Sequence, residues 1–446
     1  MNLAIVGAGY VGLTTGAALA YLGNRVICVE KDRSKLSLLG NGICPILEPG
    51  LAEMMGMLRF TSDPHEAIPD AEVIMIAVGT PSREDGSSDT RYVEDAAREV
   101  AEAMEDGRSY TVVMKSTVPV GTNRRVAHII GDQLRRRDKR SNVNVVSNPE
   151  FLSEGQALRD FLYPDRIVVG AESPEGVDVM RRLYRPILEQ SFEPPVGLPR
   201  PSGYSQPPLI ATDTVSAEMI KYASNAFLAV KISFINEIAA LCERVGADVQ
   251  EVARGMGLDP RIGTRFLQAG AGWGGSCFPK DTAALVALGQ ELGCEMPIVL
   301  AAREVNFRQR RRLVEKLQNA LLGVRGRVIG VLGISFKPCT DDIREAPALE
   351  IIKLLIERGA HVRAHDPAAM ENARNALQEV EFFEDPYRMA DGADALVLLT
   401  EWPEYRELDL SKIAKTMRTP VFLDGRNMFD PMEAKKAGLR YMGVGR

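Results

Sequence analysis

The stretch Asn2-Leu3-Ala4-Ile5-Val6-Gly7-Ala8-Gly9-Tyr10-Val11-Gly12, with the apolar run that follows to Leu22 and the segment Arg25–Val29 ending at Glu30, decides the fold. It reads as strand, glycine turn, helix, strand, acid. In such a unit Gly7 makes the tight turn, Gly9 lets a pyrophosphate meet backbone N–H groups at the helix N-terminus, and Gly12 permits close helix–sheet packing. Glu30 stands where a carboxylate accepts the adenosine ribose hydroxyls and would repel a 2′-phosphate, so the pattern predicts NAD over NADP. Lys31 and Arg33 nearby weaken that preference. Residues 2–24 carry no charge and resemble a signal peptide or membrane span in composition. With no basic start and glycines at 7, 9, 12, 16 and 23, a folded strand-turn-helix accounts for them better.

Outward from this unit, β-rich runs at 72–78, 111–115, 143–147 and 166–170 alternate with helical patterns, which makes six strands. Ligands of open α/β sheets bind beyond the carboxyl ends of strands. That singles out Gly79-Thr80-Pro81-Ser82, the segment Ser116-Thr117-Val118-Pro119-Val120-Gly121-Thr122, and residues 148–155, where Glu150 and Glu154 lie four apart. Ordinary turns and a solvated helix start are the structural alternatives. Residues 193–208 contain six prolines and read as a mobile surface loop. The longest helical pattern, 213–245, is capped by Thr212 or Asp213, ends at Gly246, and would span about 50 Å. It is apolar nearly all round and is expected to be a buried spine; Lys221 and Asn225 share one of its faces.

The third region repeats the first in outline, with a strand at 327–332, a helix at 347–358, a strand at 361–365 ending at Asp366, and strands at 380–383, 395–400 and 420–424. Ile334-Ser335-Phe336-Lys337-Pro338 replaces the glycine fingerprint, so this region is expected to bind something other than a dinucleotide. Lys337, Arg344 and Arg426 at its strand ends are phosphate candidates. The reading is an α/β protein of two doubly wound, Rossmann-like domains joined by a long central helix. Its expected parts are an NAD-binding domain at 1–192, a proline-rich loop at 193–212, a helical and thiol-loop region at 213–322, and a second Rossmann-like domain at 323–446.

A chain of 446 residues holds more than one domain. Its net charge of −6 gives no general attraction to nucleic acid or anionic membrane. The basic run at 135–140 and the arginines between 303 and 312 read as solvated helix surface. The cysteines at 28, 44, 242, 277, 294 and 339 include no C-x-x-C pair, which fits reduced thiols in a cytoplasm. His65, His128, His361 and His365 do not cluster with cysteines at zinc spacing, and no metal is predicted.

The chemistry is placed in Gly270-Ala271-Gly272-Trp273-Gly274-Gly275-Ser276-Cys277-Phe278-Pro279-Lys280-Asp281-Thr282. Pro279 suits the first turn of the helical segment that follows. A thiol at a helix N-terminus beside Lys280 is favoured as the reactive thiolate; the alternative is an inert cysteine buried in a glycine turn.

Taken together, Gly7 to Gly12, Glu48-Pro49-Gly50-Leu51, the 116–122 and 148–155 segments, Lys221-Tyr222-Ala223-Ser224-Asn225-Ala226-Phe227, Arg261-Ile262-Gly263, the thiol loop, Phe336-Lys337-Pro338 and Asp424-Gly425-Arg426-Asn427 closely resemble the UDP-glucose/GDP-mannose dehydrogenase family over nearly the whole chain. The resemblance implies two successive NAD-dependent oxidations at one sugar carbon, with Cys277 carrying a thiohemiacetal and then a thioester. It implies Lys221, or a water held by Lys221, Asn225 and Asp281, as base; Lys221 and Asn225 as oxyanion partners; and Glu150 or Asp281, near Thr117, activating the hydrolytic water. By the same match Gly7, Gly9, Val11, Gly12, Glu30, Lys35, Thr80, Thr117, Glu154, Lys280 and Arg344 are expected at NAD. Glu150, Phe151, Leu152, Ser153, Lys221, Asn225, Gln268, Ala269, Gly270, Ala271, Gly272, Gly274, Lys337 and Arg426 are expected at the sugar nucleotide. Arg261 is expected to reach the substrate of a partner subunit, in a homodimer formed through the central helix. Arg261-Ile262-Gly263 and Gly275-Ser276-Cys277 favour UDP-glucose, with GDP-mannose or UDP-N-acetylmannosamine as the rival substrates. Two other readings stay open: a non-catalytic dinucleotide sensor or scaffold, and a one-step hydroxyacid dehydrogenase, which has no need of Cys277. Trp273 replaces the usual Phe, Leu47 replaces the usual Tyr, and the proline-rich loop is longer than is common in the family.

Overall fold

The computed structural model describes residues 1–446. Its first sheet is built from β1 (Asn2–Val6), β2 (Arg25–Val29), β3 (Arg59–Thr61), β4 (Val73–Ile76), β5 (Ser109–Met114), β6 (Asn142–Ser147), β7 (Ile167–Ala171) and β8 (Leu209–Thr212), in the order β3-β2-β1-β4-β5-β6-β7-β8. All neighbours are parallel except β6 and β7, which pair antiparallel through Val146 with Ala171 and Ser147 with Gly170. Helices cover both faces, and β1 shows why its sequence is a near-continuous apolar run. Leu3 and Ile5 pack with Leu13 and Leu19 on one face, while Val6 and Ala4 pack with Val93 and Val100 on the other. The order reverses at β1 and β4, so the crevice beyond their carboxyl ends is the switch point at which such sheets take ligands.

The second sheet comprises β9 (Val328–Leu332), β10 (His361–His365), β11 (Glu381–Phe382), β12 (Ala395–Leu398), β13 (Val421–Asp424) and β14 (Arg440–Met442). Its order is β11-β10-β9-β12-β13-β14, and every neighbouring pair is parallel. Two doubly wound sheets are thus present, as expected. Three strands were not anticipated. β3 and β14 are three residues long, too short for a periodic signal. β8 falls within the span expected to be loop, and forms an edge whose side chains are only partly covered.

Residues 193–208 have no regular structure, but they are anchored, against the expectation of a mobile loop. Tyr163 Oη donates to the Leu198 carbonyl at 3.0 Å and Tyr204 Oη to the Pro164 carbonyl at 2.7 Å. Leu198 and Tyr204 also pack on the first core. Apolar side chains spaced among the prolines account for this.

The central helix is Thr214–Val245. Asp213 caps it by accepting the Ser216 N–H at 2.8 Å, and Gly246 leaves it at φ +77°. Contacts divide the chain into two compact units, Met1–Ser224 and Asn225–Arg446, with the boundary inside this helix. The expected all-round burial is corrected: Phe227, Phe234 and Leu241 are 63, 45 and 56% exposed.

Candidate active site

In the first unit, Gly7 sits at φ +100°, and a Cβ there would come within 2.8 Å of the Ala77 carbonyl oxygen at the end of β4. A Cβ on Gly12 would lie 1.9 Å from the Gly7 carbonyl oxygen, so the helix Tyr10–Tyr21 approaches the turn as closely as backbone allows. Above Gly9 the space is open. Glu30 accepts the Ala8 N–H at 3.2 Å and pairs with Lys35 at 3.3 Å, which keeps the acid at the glycine turn. Thr80 Oγ1 donates to the Thr117 carbonyl at 2.8 Å, tying the ends of β4 and β5 together. An open glycine cradle at a helix N-terminus with an acid at the next strand end fits NAD.

Beyond β6, Glu150 is buried and its carboxylate lies 3.0 Å from the Lys221 ammonium, which is itself buried. Glu150 Oε2 also accepts the Leu152 N–H at 2.6 Å. Burial alone pushes the Glu150 carboxyl upward, but Lys221, the Leu152 N–H and Lys115 outweigh it and hold the group below the usual range. Phe151 lies beneath two cations, with the Arg166 guanidinium 3.6 Å and the Lys221 ammonium 5.3 Å from its ring centre. Ser153 and Glu154 complete this turn nearer the surface.

Three charged groups support this half, Lys115 and Glu218 buried and Arg166 half-buried, and sequence reading missed all of them. Lys115 donates to Asn148 Oδ1 at 3.0 Å and faces Tyr184; burial draws its ammonium down to about 8. Arg166 stacks on Phe151. Glu218, one turn before Lys221, accepts the Gly121 and Asn123 N–H groups at 2.6 and 2.8 Å and the Asn123 side-chain amide at 2.7 Å. A lysine inside a β-rich run and a glutamate inside an apolar helix were the available signals.

In the second unit, Cys277 is the N-cap of the helix Phe278–Glu291 and is half-buried. Its Sγ lies 3.5 Å from Ser276 Oγ, and its carbonyl accepts the Asp281 N–H at 2.8 Å. Asp281 is fully buried; it accepts from Asn225 Nδ2 at 2.6 Å and pairs with Lys280. The loop before the thiol is threaded so closely that side chains do not fit. A Cβ on Gly270 would lie 2.8 Å from the Gly425 carbonyl oxygen, one on Gly274 2.0 Å from that of Glu345, and one on Gly275 2.6 Å from the Phe336 ring.

The helix Pro297–Leu321 holds this loop. Asn306 exchanges two hydrogen bonds with the Trp273 backbone, Gln309 donates to the Gly270 carbonyl at 2.8 Å, and Arg310 to the Trp273 carbonyl at 3.0 Å. Arg303 reaches the Pro279 carbonyl at 2.8 Å and Thr282 Oγ1 at 2.7 Å. Arg310 is buried and paired with Glu350, which corrects the reading of that arginine as solvated surface, while Arg308 and Arg311 are exposed as expected. Asn306, Gln309 and Arg310 interrupt the core-facing stripe Val299, Ala302, Leu313 and Leu317; polar residues at apolar positions were the signal for them.

Of the other expected site residues in this unit, Arg426 donates to the carbonyls of Leu399 at 2.7 Å and Gly272 at 3.4 Å, which brings β13 to the thiol loop. Ala269 and Ala271 are buried in the core. Arg344 pairs with Asp342 at 2.5 Å, and Lys337 lies 5.7 Å from the Phe336 ring centre. Arg261 is exposed and paired with Asp259, and Gln268 is exposed; neither is drawn into the thiol loop within its own unit.

Comparison with known proteins matches three models of one family along the chain. Residues 1–188 match the UDP-glucose/GDP-mannose dehydrogenase family NAD binding domain, 215–308 the central domain, and 330–431 the UDP binding domain. The chain is 47% identical to a UDP-glucose 6-dehydrogenase of Rhizobium meliloti, with 100% of both chains covered. Among solved structures, a UDP-glucose dehydrogenase from Pyrobaculum islandicum superposes with a TM-score of 0.88 at 40% identity, covering 100% of this chain and 97% of that one. A UDP-D-ManNAc dehydrogenase from Pyrococcus horikoshii has a TM-score of 0.84 at 27% identity, with coverage of 100% and 99%.

Proposed function

Since this chain belongs to the UDP-glucose/GDP-mannose dehydrogenase family and is an NAD-dependent oxidoreductase, we propose that it oxidises UDP-glucose to UDP-glucuronate in two steps through a covalent intermediate on Cys277. The 47 and 40% identities to UDP-glucose enzymes, against 27% to the UDP-D-ManNAc enzyme, support the choice of substrate. Bound NAD supplies the chemistry of accepting one hydride in each oxidation. By the family resemblance, Gly7, Gly9, Val11, Gly12, Glu30, Lys35, Thr80, Thr117, Glu154, Lys280 and Arg344 would hold it.

The carrying observation is the Cys277 thiol at a helix N-terminus, one turn before an Asp281 bonded to Asn225. Lys221 lies on the same central helix, four residues before Asn225. In the proposed route Lys221, or a water it shares with Asn225 and Asp281, takes the 6-hydroxyl proton during the first oxidation. The Cys277 thiolate then adds to the aldehyde carbon, forming a C–S bond and a thiohemiacetal oxyanion that Lys221 and Asn225 stabilise. The second oxidation turns this into a thioester. Glu150 or Asp281, near Thr117, deprotonates the water that cleaves the C–S bond and returns the thiol. Phe151, Leu152, Ser153, Gln268 to Gly272, Gly274, Lys337 and Arg426 would hold the sugar nucleotide.

The proposal includes a homodimer through the central helix, with Arg261 reaching the partner's substrate. Met219, Phe227, Phe234 and Leu241 are all exposed and recur every seven or eight residues, forming one apolar stripe along that helix. A reducing cytoplasm fits a catalytic thiol among free cysteines.

The test is stoichiometric. With limiting UDP-glucose and excess NAD, two NADH per sugar are expected, and Cys277→Ser is expected to release no free acid. One NADH per sugar, or unchanged turnover in the variant, would replace this reading with a one-step dehydrogenase. Faster turnover of GDP-mannose or UDP-N-acetylmannosamine would replace the substrate.

A further inference from the structure

Glu48-Pro49-Gly50-Leu51 was singled out by sequence, yet the proposed chemistry gives it nothing to do. In the structure the Glu48 carboxylate is 6% exposed. It accepts the hydroxyl hydrogen of Tyr10, the residue between the second and third glycines of the NAD turn. From the other side it accepts the Gly155 N–H at 2.7 Å and the Leu158 N–H at 3.3 Å. Gly155 N–H also faces Tyr10 Oη at 2.6 Å. Gly155 ends the turn that carries Glu150 to Glu154, and it stands at φ +77°, where any other residue is strained. Leu51, at the end of the motif, is fully buried. Gly50 stands so close to the proline-rich segment that a Cβ on it would lie 3.3 Å from Leu198 Cδ1, which keeps the Glu48 turn from drifting.

One carboxylate and one phenol therefore join two pieces of backbone with different tasks, the glycine turn for the cofactor and the turn that presents Glu150 and Glu154. Neither group is placed among the reacting ones, and the Glu48 carboxylate is already engaged by the Tyr10 hydroxyl and by the Gly155 and Leu158 N–H groups. We propose that Tyr10 and Glu48 are positioning residues that lock the Glu150–Glu154 turn to the NAD turn, so that NAD binding and the placement of Glu150 are one coupled event. The consequence for Glu150 rests on the function proposed above; the consequence for NAD affinity does not.

The test is calorimetric titration of NAD into the full-length wild type, Tyr10→Phe, Glu48→Gln and the double variant, with thermal melts on each and UDP as a second titrant. A hydrogen bond to a buried carboxylate is strong enough that each single variant is expected to raise the NAD dissociation constant about tenfold. The double variant is expected to be no worse than the worse single variant, because both act through one lock. UDP affinity is expected to stay the same. During turnover with UDP-glucose, both variants are expected to accumulate hydroxylamine-sensitive Cys277 adduct, since a displaced Glu150 slows hydrolysis. Unchanged NAD constants beside lowered melting temperatures would show a purely structural role and overturn the proposal. Additive losses in the double variant would overturn it too, because the residues would then act independently. Tyr10→Phe leaves the Glu48–Gly155 bond in place, so an unchanged NAD constant in that variant alone also overturns the lock should Glu48→Gln fail to fold. If the wild type forms no Cys277 adduct, the thioester route fails while the NAD arm still decides the lock.

Discussion

Asn306 closes a two-way bond with the backbone of Trp273: its Nδ2 donates to the Trp273 carbonyl at 2.9 Å, and its Oδ1 accepts the Trp273 N–H at 2.8 Å. One amide on a core-facing helix stripe thereby sets the path of the thiol loop. Its Oδ1 also stands where a Cβ on Gly272 would be, 2.4 Å away, so the loop needs glycine there.

Asn306→Ala leaves the Trp273 N–H unpaired in a buried place and the Trp273 carbonyl with Arg310 as its remaining donor. An orphaned buried donor costs about 1–3 kcal/mol, so a drop in stability of about that size is expected in denaturant titrations. Sugar-nucleotide KM is expected to rise more than NAD KM, because the displaced loop belongs to the proposed substrate site. Equal effects on both constants would count against that assignment.

The Lys221–Glu150 pair is buried at both ends, and removing one partner strands the other. Lys221→Met is expected to cost about 3–5 kcal/mol of stability. Glu150→Gln is expected to lower kcat about a hundredfold or more if Glu150 serves as the base for hydrolysis. Because the Glu150 carboxyl is held below its unfolded value, its contribution to stability is present above the unfolded pKa of about 4.3 and is lost as pH falls through the lower folded value. Acid unfolding curves of wild type and Glu150→Gln should therefore converge at low pH.

Lys115 gives a slope of the same sign in a more alkaline window. Burial draws its ammonium down to about 8, with Glu150 pulling it up and Lys221 pushing it further down. Its unfolded pKa is about 10.4, so between these values the unfolded chain binds more protons and stability rises with pH. The shift of about two units corresponds to about 3 kcal/mol. Relative to Lys115→Met, the wild type is expected to gain stability by about that amount between about pH 7 and pH 10.5. A pH-independent difference would mean that Lys115 binds its proton equally well in the folded and unfolded chains, and that burial does not depress it.

The exposed stripe on the central helix predicts the outcome of a charge placed on it. Phe234→Glu, and more strongly Phe227→Glu with Phe234→Glu, is expected to shift the mass measured by light scattering from dimer to monomer. Burying an unpaired carboxylate costs several kcal/mol in an apolar interface. A monomeric wild type would remove the dimer from the proposal.

How much of this was legible in sequence depends on whether the cause was local. The glycine turn was legible because Gly7 and Gly12 are demanded by steric contacts with Ala77 and with the turn itself. The Cys277 helix start was legible because Pro279 marks it from within one turn. β3 and β14 were not, since three residues carry no period. The proline-rich segment misled because composition says where regular structure stops, while Leu198 and Tyr204 decide whether the chain is held. Glu218, Arg166 and the polar face of helix Pro297–Leu321 show only as polar residues where apolar ones belong, and that pattern names no partner.

The sequence alone determined two doubly wound sheets, a dinucleotide turn and a thiol at a helix N-terminus. Each follows from short-range sterics, from periodicity and from the positions of glycine and proline. Only the tertiary structure decided that Lys221 meets Glu150, that Asn225 meets Asp281, and that Tyr10 and Glu48 meet Gly155. Those pairs join residues far apart in the chain. A buried polar group must find a partner, but only the packing of whole elements determines which one is within reach.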